Sequence, residues 1–163
     1  ELERRVGPLP AKVRVETFGT TADFIRAAKQ PGWTAASTDG VSIALQPLSA
    51  LERKGILVST LRHELAHLAI HRVRSPGIPR WFEEGMVLYS TGEQMTGDLR
   101  FDFRGRTLEE SISKPRSEAE MKAAYALALS RVRNLARKRG QAALWQILKH
   151  PSTSDIRWLK DQS

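Results

Sequence analysis

The segment His63–His67 (HELAH) constrains this chain more than any other, because its two histidines can act on one ion only if the segment is a helix. Residues four apart on an α-helix are separated by about 400° of rotation and about 6 Å of rise, so His63 and His67 leave one face and can bind one ion. Glu64 is rotated by about 100° from His63, which places it beside a water at an open metal position. The spacing predicts a helix with two metal ligands and one general base, and the alternative is a hydrogen-bonded pair of core histidines.

A zinc ion needs a third protein ligand, and the other two histidines are poorly placed to provide it. His71 lies about 12 Å along the helix from His63, and His150 follows a distant helix, so both are interpreted as helix-end residues. The chain has no cysteine, which leaves carboxylates. Glu83 and Glu84 lie in an apolar segment where acids need a cation, and helical geometry alone leaves the choice between them open.

Two segments in the first third of the chain predict strands. Residues 12–18 (KVRVETF) alternate apolar and polar side chains, which predicts a half-buried strand. Residues 41–48 (VSIALQPL) predict a second strand, and Pro47 fits only an edge or an end of it. Further along, 92–113 is expected to be irregular or weakly stranded, with 99–103 as a candidate short strand.

The remaining pattern is helical, so the expected fold class is α+β, with a few strands early and helices after them. The stretch 49–71 is predicted to be helical and divided at Gly55, with an apolar second part that forms a buried central helix. The length of 163 residues suits one domain, with the sheet and this helix in 1–72 and a mainly helical lobe carrying the third ligand in 73–163. Other helices are predicted over 22–29, 80–90, 118–139, 141–149 and 155–160.

The net charge of +8 raises the question of nucleic-acid binding. Basic residues are spread from Arg4 to Lys160 with one dense cluster at 131–139, and the few aromatic side chains do not alternate with them as base stacking requires. We therefore interpret the cluster as a solvated basic face at a helix C-terminus and do not expect nucleic-acid binding; attraction to an anionic surface is the alternative. No apolar run is long enough to span a bilayer.

The stretch 60–89 (TLRHELAHLAIHRVRSPGIPRWFEEGMVLY) resembles the gluzincin metallopeptidases, in particular the peptidase MA-like group related to the aminopeptidase-N family. In that family H-E-x-x-H is followed by a helix reading W-L-x-E-G, whose glutamate is the third zinc ligand. That residue corresponds to Glu84 here, with Glu83 at the variable position. The resemblance implies a zincin-like fold, in which a small mixed sheet packs on the motif helix and a helical C-terminal subdomain follows. Gly85 is expected to permit close helix packing.

The resemblance also implies an activity. It predicts a zinc-dependent peptidase in which Zn²⁺ is held by His63, His67 and Glu84, with Glu64 as the general base. Related proteins carry a Tyr at the start of a helix after the zinc site, whose hydroxyl hydrogen-bonds the oxyanion, and Tyr125 matches that residue. Without the family, Tyr125 is simply part of the apolar stripe of its helix, and both interpretations stay open.

The strand predicted at 41–48 bears on substrate preference. The G-x-M-E-N motif with which aminopeptidases capture a free N-terminus is absent, and residues 42–47 read SIALQP instead. We therefore expect an endopeptidase or an enzyme of narrow specificity, rather than an aminopeptidase, acting on a peptide or protein. Gluzincin architecture further implies that this strand borders the cleft and pairs with an extended peptide.

Two other hypotheses remain open at this point. The chain could be a catalytically inactive zinc-binding module of a larger protein, although such a module has no need of Glu64. It could also be a nucleic-acid-associated protease of the SprT-like type, which would explain the positive charge, although the third histidine and zinc ribbon typical of that type are absent. The group that the chain resembles includes exported bacterial enzymes. The resemblance therefore implies a periplasmic or cell-surface location.

Overall fold

The computed structural model describes residues 2–162 and has a helix-dominated α+β architecture with a small three-stranded sheet. The chain divides into two compact units, the first ending at Arg72 and the second beginning at Val73. None of the helices in the described stretch has the length and apolarity needed to cross a membrane. The elements are, in order, α1 (Leu2–Val6), β1 (Arg14–Thr17), α2 (Thr21–Ala28), β2 (Ala36–Thr38), β3 (Ser42–Leu45), α3 (Leu48–Arg53), α4 (Leu57–Val73), α5 (Arg80–Thr91), α6 (Leu108–Ser113), α7 (Glu118–Arg139), α8 (Gln141–Lys149) and α9 (Thr153–Asp161).

The sheet of the first unit has the order β1-β3-β2, with β1 parallel and β2 antiparallel to β3. Ile43 and Leu45, on alternate positions of β3, are fully buried. They form one apolar cluster with Leu51 of α3 and Leu68 of α4. Burial of this cluster stabilises α4 against the sheet, because each large apolar side chain removed from water contributes about 1.5–3 kcal/mol.

The structure corrects two expectations about the strands. Both predicted strands form, but β1 is exposed at all four residues instead of half-buried, with Val15 45% exposed; the other edge strand, β2, has Ala36 buried. The expectation that 41–48 pairs with a peptide is wrong, since β3 is the central strand and both of its edges are occupied. Pro47 lies just beyond the end of β3, as predicted, and precedes α3.

The helical stretch 49–71 is divided where the sequence predicts it. Gly55 has a φ of 68°, a left-handed conformation that favours glycine, and its N–H donates to the Glu52 carbonyl to close α3. The chain then restarts as α4, whose first turn exposes Val58 and Ser59 and whose buried residues all lie between Glu64 and Ile70. The segment His63–His67 lies in the middle of this helix.

In the second unit, α5 packs on α7 at a glycine. A Cβ atom at Gly85 would lie 2.6 Å from Val132 Cγ2 and 2.8 Å from the Ala128 carbonyl oxygen, so the two helices approach more closely than any other residue allows. The prediction that Gly85 permits close helix packing is confirmed. This contact fixes α7 beside the helix that carries Glu83 and Glu84.

The candidate strand at 99–103 does not form. Asp98 and Asp102 accept hydrogen bonds from the backbone N–H groups of Arg100 (2.9 Å) and Arg104 (2.8 Å), which closes local turns instead of leaving those groups for a strand partner. Three short elements, α1, β2 and α6, were not predicted. The last of these begins at a capping box in which Thr107 and Glu110 satisfy each other's backbone N–H groups.

The basic cluster at 131–139 is not one solvated face. Arg131 is half-buried, with its guanidinium 5.6 Å from the centre of the Trp81 ring, and burial lowers its pKa. Arg139 forms an ion pair with Asp155 at 3.3 Å. The cluster does stand at the C-terminal end of α7, as predicted, but its members contact different parts of the second unit.

Candidate metal centre

Helix α4 brings the rings of His63 and His67 together, as their spacing predicts. Their Nε2 atoms are 3.1 Å apart, and the two half-buried rings meet edge to face with centroids 4.8 Å apart. At this distance the two nitrogens can share a proton in a hydrogen bond between neutral rings, or they can both donate lone pairs to one ion.

Glu64 follows the first of these histidines and is only 7% exposed. It is the one acidic or basic side chain among the buried residues of α4, whose other buried residues are alanine, leucine and isoleucine. A buried carboxyl group beside two imidazole rings can accept a proton from a water at a metal ion. The catalytic role of Glu64 stays a prediction.

The two adjacent acids of α5 have different surroundings. Glu83 forms an ion pair with Arg74, whose Nε lies 3.1 Å from the carboxylate. Glu84 is 1% exposed. Among residues 2–162, the group of acidic and histidine side chains that could hold a metal ion consists of His63, His67 and Glu84, which each offer one ligand atom within 4.8 Å of the others.

These donors fit zinc. In a tetrahedral site with Zn–N and Zn–O distances of about 2.0–2.2 Å, ligand atoms lie about 3.3–3.6 Å apart. The 3.1 Å separation of the two imidazole nitrogens is close to this value, and the 4.8 Å limit for the whole group is somewhat wider. Two imidazoles and one carboxylate form a donor set found in catalytic zinc sites, where the fourth position stays open for water.

The remaining sequence-predicted residues lie elsewhere. Tyr125 is half-buried in the third turn of α7, not at the start of a helix, and its role at the oxyanion stays a prediction. His71 is exposed in the last turn of α4, and His150 is exposed at the C-cap of α8. The prediction that both are helix-end residues is confirmed.

The sequence did not reveal a second strongly buried acid in the second unit, Glu120, which is 3% exposed. Its carboxylate accepts hydrogen bonds from the Arg116 backbone N–H (2.7 Å), the Ser111 hydroxyl (3.0 Å) and the Arg106 guanidinium. Burial raises the pKa of Glu120, but these hydrogen bonds and the Arg106 charge outweigh it and hold the pKa below its ordinary value. This acid is therefore a structural anchor, neutralised by arginine.

Comparison with protein-family models, with curated proteins and with solved structures finds no match to this chain. The residues that bear on the chemistry are the paired imidazoles on α4, the buried carboxyl of Glu64, and Glu84 on α5. This combination is compatible with hydrolytic metal chemistry, which needs ligands, an open position and a base within reach of water.

Proposed function

We propose that this chain is a zinc-dependent peptidase in which His63, His67 and Glu84 hold the ion. The observation that carries the proposal is the group of three ligand atoms within 4.8 Å of one another, two of them imidazole nitrogens only 3.1 Å apart. The ion pair between Glu83 and Arg74 supports Glu84 as the third ligand, because it gives the neighbouring acid another partner. The mixed sheet that shares a core with α4 supports a zincin-like architecture.

The residues of the chain would divide the reaction between them. A zinc ion held by these ligands supplies a Lewis acid that acidifies a water towards a pKa of about 7 and polarises a substrate carbonyl. The carboxylate of Glu64 would take the proton from the water as the water oxygen forms a C–O bond to the carbonyl carbon. It would then pass that proton to the amine nitrogen, which leaves as the C–N bond breaks. The hydroxyl of Tyr125 is the candidate donor to the oxyanion.

The proposed substrate is an internal peptide bond. The stretch 42–47 lacks the motif with which aminopeptidases hold a free N-terminus, which favours an endopeptidase. An extended peptide that adds to the sheet must use an outer strand, β1 or β2, because β3 is paired on both sides. The exposure of every residue of β1 leaves that strand accessible from solvent.

Zinc titration of matched variants tests the ligand set. Isothermal titration calorimetry of wild type should give one zinc per chain, and Glu84→Gln should weaken binding by more than about 100-fold, since a directly bound ligand matters more than its supporting residues. The adjacent change Glu83→Gln is the control, because it removes the same charge from the same helix, and it should leave affinity within about threefold. Equal affinities for wild type and Glu84→Gln, with both folded by circular dichroism, would refute the ligand assignment.

Cleavage of a peptide library by the zinc-loaded chain tests catalysis. Glu64→Gln should bind zinc as wild type does and lose at least about 100-fold in cleavage rate, the smaller end of a general base's contribution. Blocking the N-terminus of the best peptide should not reduce cleavage by an endopeptidase. If wild type and Glu64→Gln both bind zinc and neither cleaves any peptide, the chain is an inactive zinc-binding module.

A further inference from the structure

A cavity of about 610 Å³ lies within the second unit, beside α5 and α7. Its apolar lining includes Ala126 and Leu129 of α7 and Leu99 of the segment after α5. None of the proposed zinc ligands lines it, and neither does Glu64. Its volume falls within the range of about 300–1,000 Å³ that is typical of small-molecule sites.

One wall of this cavity is held tightly against α7. Gly97 lies so close to that helix that a Cβ atom there would overlap the backbone of Lys122 and Ala123. Only glycine allows this approach, so the chain at Gly97 packs directly on the backbone of α7 and forms one side of the cavity. Leu99, which also lines the cavity, is 55% exposed, so the cavity opens to solvent on that side.

Two arginines one helical turn apart, Arg133 and Arg137, also line the cavity. Within the described residues, neither forms an ion pair with an acid. Arg133 donates to the Glu93 carbonyl at 3.4 Å and to the Gln94 side chain at 3.3 Å, both long hydrogen bonds to neutral oxygens.

The second guanidinium, that of Arg137, donates to the neutral Asn134 amide oxygen. Like charges at positions i and i+4 repel each other, and no acid in the cavity lining offsets them. Some other arginines of the second unit do pair with acids, for example Arg139 with Asp155. An apolar cavity bordered by two arginines without acid partners has the complementary charge for an anion attached to an apolar chain.

We propose that this cavity binds a medium-chain carboxylate, with the alkyl chain on Leu99, Ala126 and Leu129 and the carboxylate between Arg133 and Arg137. Guanidinium groups bind carboxylates through paired, charge-assisted hydrogen bonds, and the Ser130 hydroxyl in the lining can add a third donor. The site depends on neither zinc nor catalysis, so its test is independent of the peptidase proposal.

Calorimetric titration of the full chain with sodium decanoate below its micelle concentration tests the site. We expect one saturable site, and binding weakened by roughly 10- to 100-fold in the double variant Arg133→Gln/Arg137→Gln, the range for losing hydrogen bonds between charged groups. The double variant Arg157→Gln/Lys160→Gln, which removes the same charge from exposed positions on α9, should bind decanoate as wild type does. Ala136→Leu keeps both arginines but fills part of the cavity, and should also weaken binding.

Three ligand controls decide what is recognised. Decyltrimethylammonium should bind at least about tenfold more weakly than decanoate, and acetate should show no saturable binding, because the site needs both the charge and the chain. Equal binding of the cationic and anionic chains, equal loss in the two double variants, or no saturable decanoate binding would overturn the proposal. So would attachment to anionic phospholipid vesicles without binding of monomeric decanoate, which indicates a membrane surface instead of a cavity.

Discussion

Replacement of Glu120 by glutamine should destabilise the second unit strongly. The carboxylate of Glu120 receives three donors from the segment that precedes α7: the Arg106 guanidinium, the Ser111 hydroxyl and the Arg116 backbone N–H. A glutamine of the same size can still accept at its oxygen, but its NH₂ group must then face one of these donors. The change also removes the negative charge that pairs with Arg106 in a largely buried ion pair and with Arg116 at 3.6 Å.

The size of the effect follows from burial. Breaking a buried ion pair by removing one partner costs about 3–5 kcal/mol, because the other charge stays buried without compensation. Arg106 retains hydrogen bonds to the carbonyls of Glu110 (2.7 Å) and Lys114 (2.8 Å), which offset part of that cost. We therefore expect the free energy of unfolding to fall by about 2–3 kcal/mol for Glu120→Gln.

Urea denaturation followed by circular dichroism measures this value, with Glu118→Gln as the matched control. Glu118 lies in the same first turn of α7, and its ion pair with Lys122 is half-exposed, so the control should lose at most about 0.5 kcal/mol. A loss for Glu120→Gln no larger than that for Glu118→Gln would refute the argument.

The pH dependence gives a second check on the same residue. The pKa of Glu120 is lower in the folded chain than its ordinary value of 4.5, so its contribution to stability is present above that value and is lost as the pH falls through the folded pKa. The difference in unfolding free energy between wild type and Glu120→Gln should therefore shrink between about pH 7 and about pH 3. An unchanged difference would mean that the charge of Glu120 is not what stabilises this region.

Two further predictions concern the helices of the second unit. Gly85→Ala should lower the free energy of unfolding by about 1–3 kcal/mol, since the added methyl group meets Val132 and the Ala128 carbonyl; Gly19→Ala, which has open space, should change it by less than about 0.5 kcal/mol in the same urea assay. Ser152→Ala removes the capping box of α9 and should cost about 1 kcal/mol, whereas Thr153→Ala one residue later should be nearly neutral; equal thermal midpoints for these two variants would contradict the capping argument.

The local features of the chain could be predicted from the sequence because they depend on residues close together along it. The helical period alone places His63 and His67 on one face, and their nitrogens are 3.1 Å apart. Gly55 ends α3 through its own left-handed conformation. Ser117 caps α7 because its side chain accepts a hydrogen bond from the backbone N–H of Glu120, three residues further along the chain. No distant contact is needed for any of these.

Features that depend on distant partners required the tertiary structure. Glu83 and Glu84 are adjacent and chemically identical, and only the fold gives one of them Arg74 as a partner while it buries the other almost completely. The alternation at 41–48 predicts a strand but cannot tell whether its edges are free, because that depends on where β1 and β2 pair.

The histidine pair is thus determined by the sequence itself, through a helical repeat that acts over four residues. The remaining parts of the molecule's chemistry are decided by contacts between elements far apart along the chain. The arginines at 131–139 form one basic cluster in the sequence but have different surroundings in the fold. Arg131 lies half-buried over Trp81, Arg139 pairs with Asp155, and Arg133 and Arg137 line a cavity. Packing sets their surroundings, and the surroundings determine what the same guanidinium group can bind.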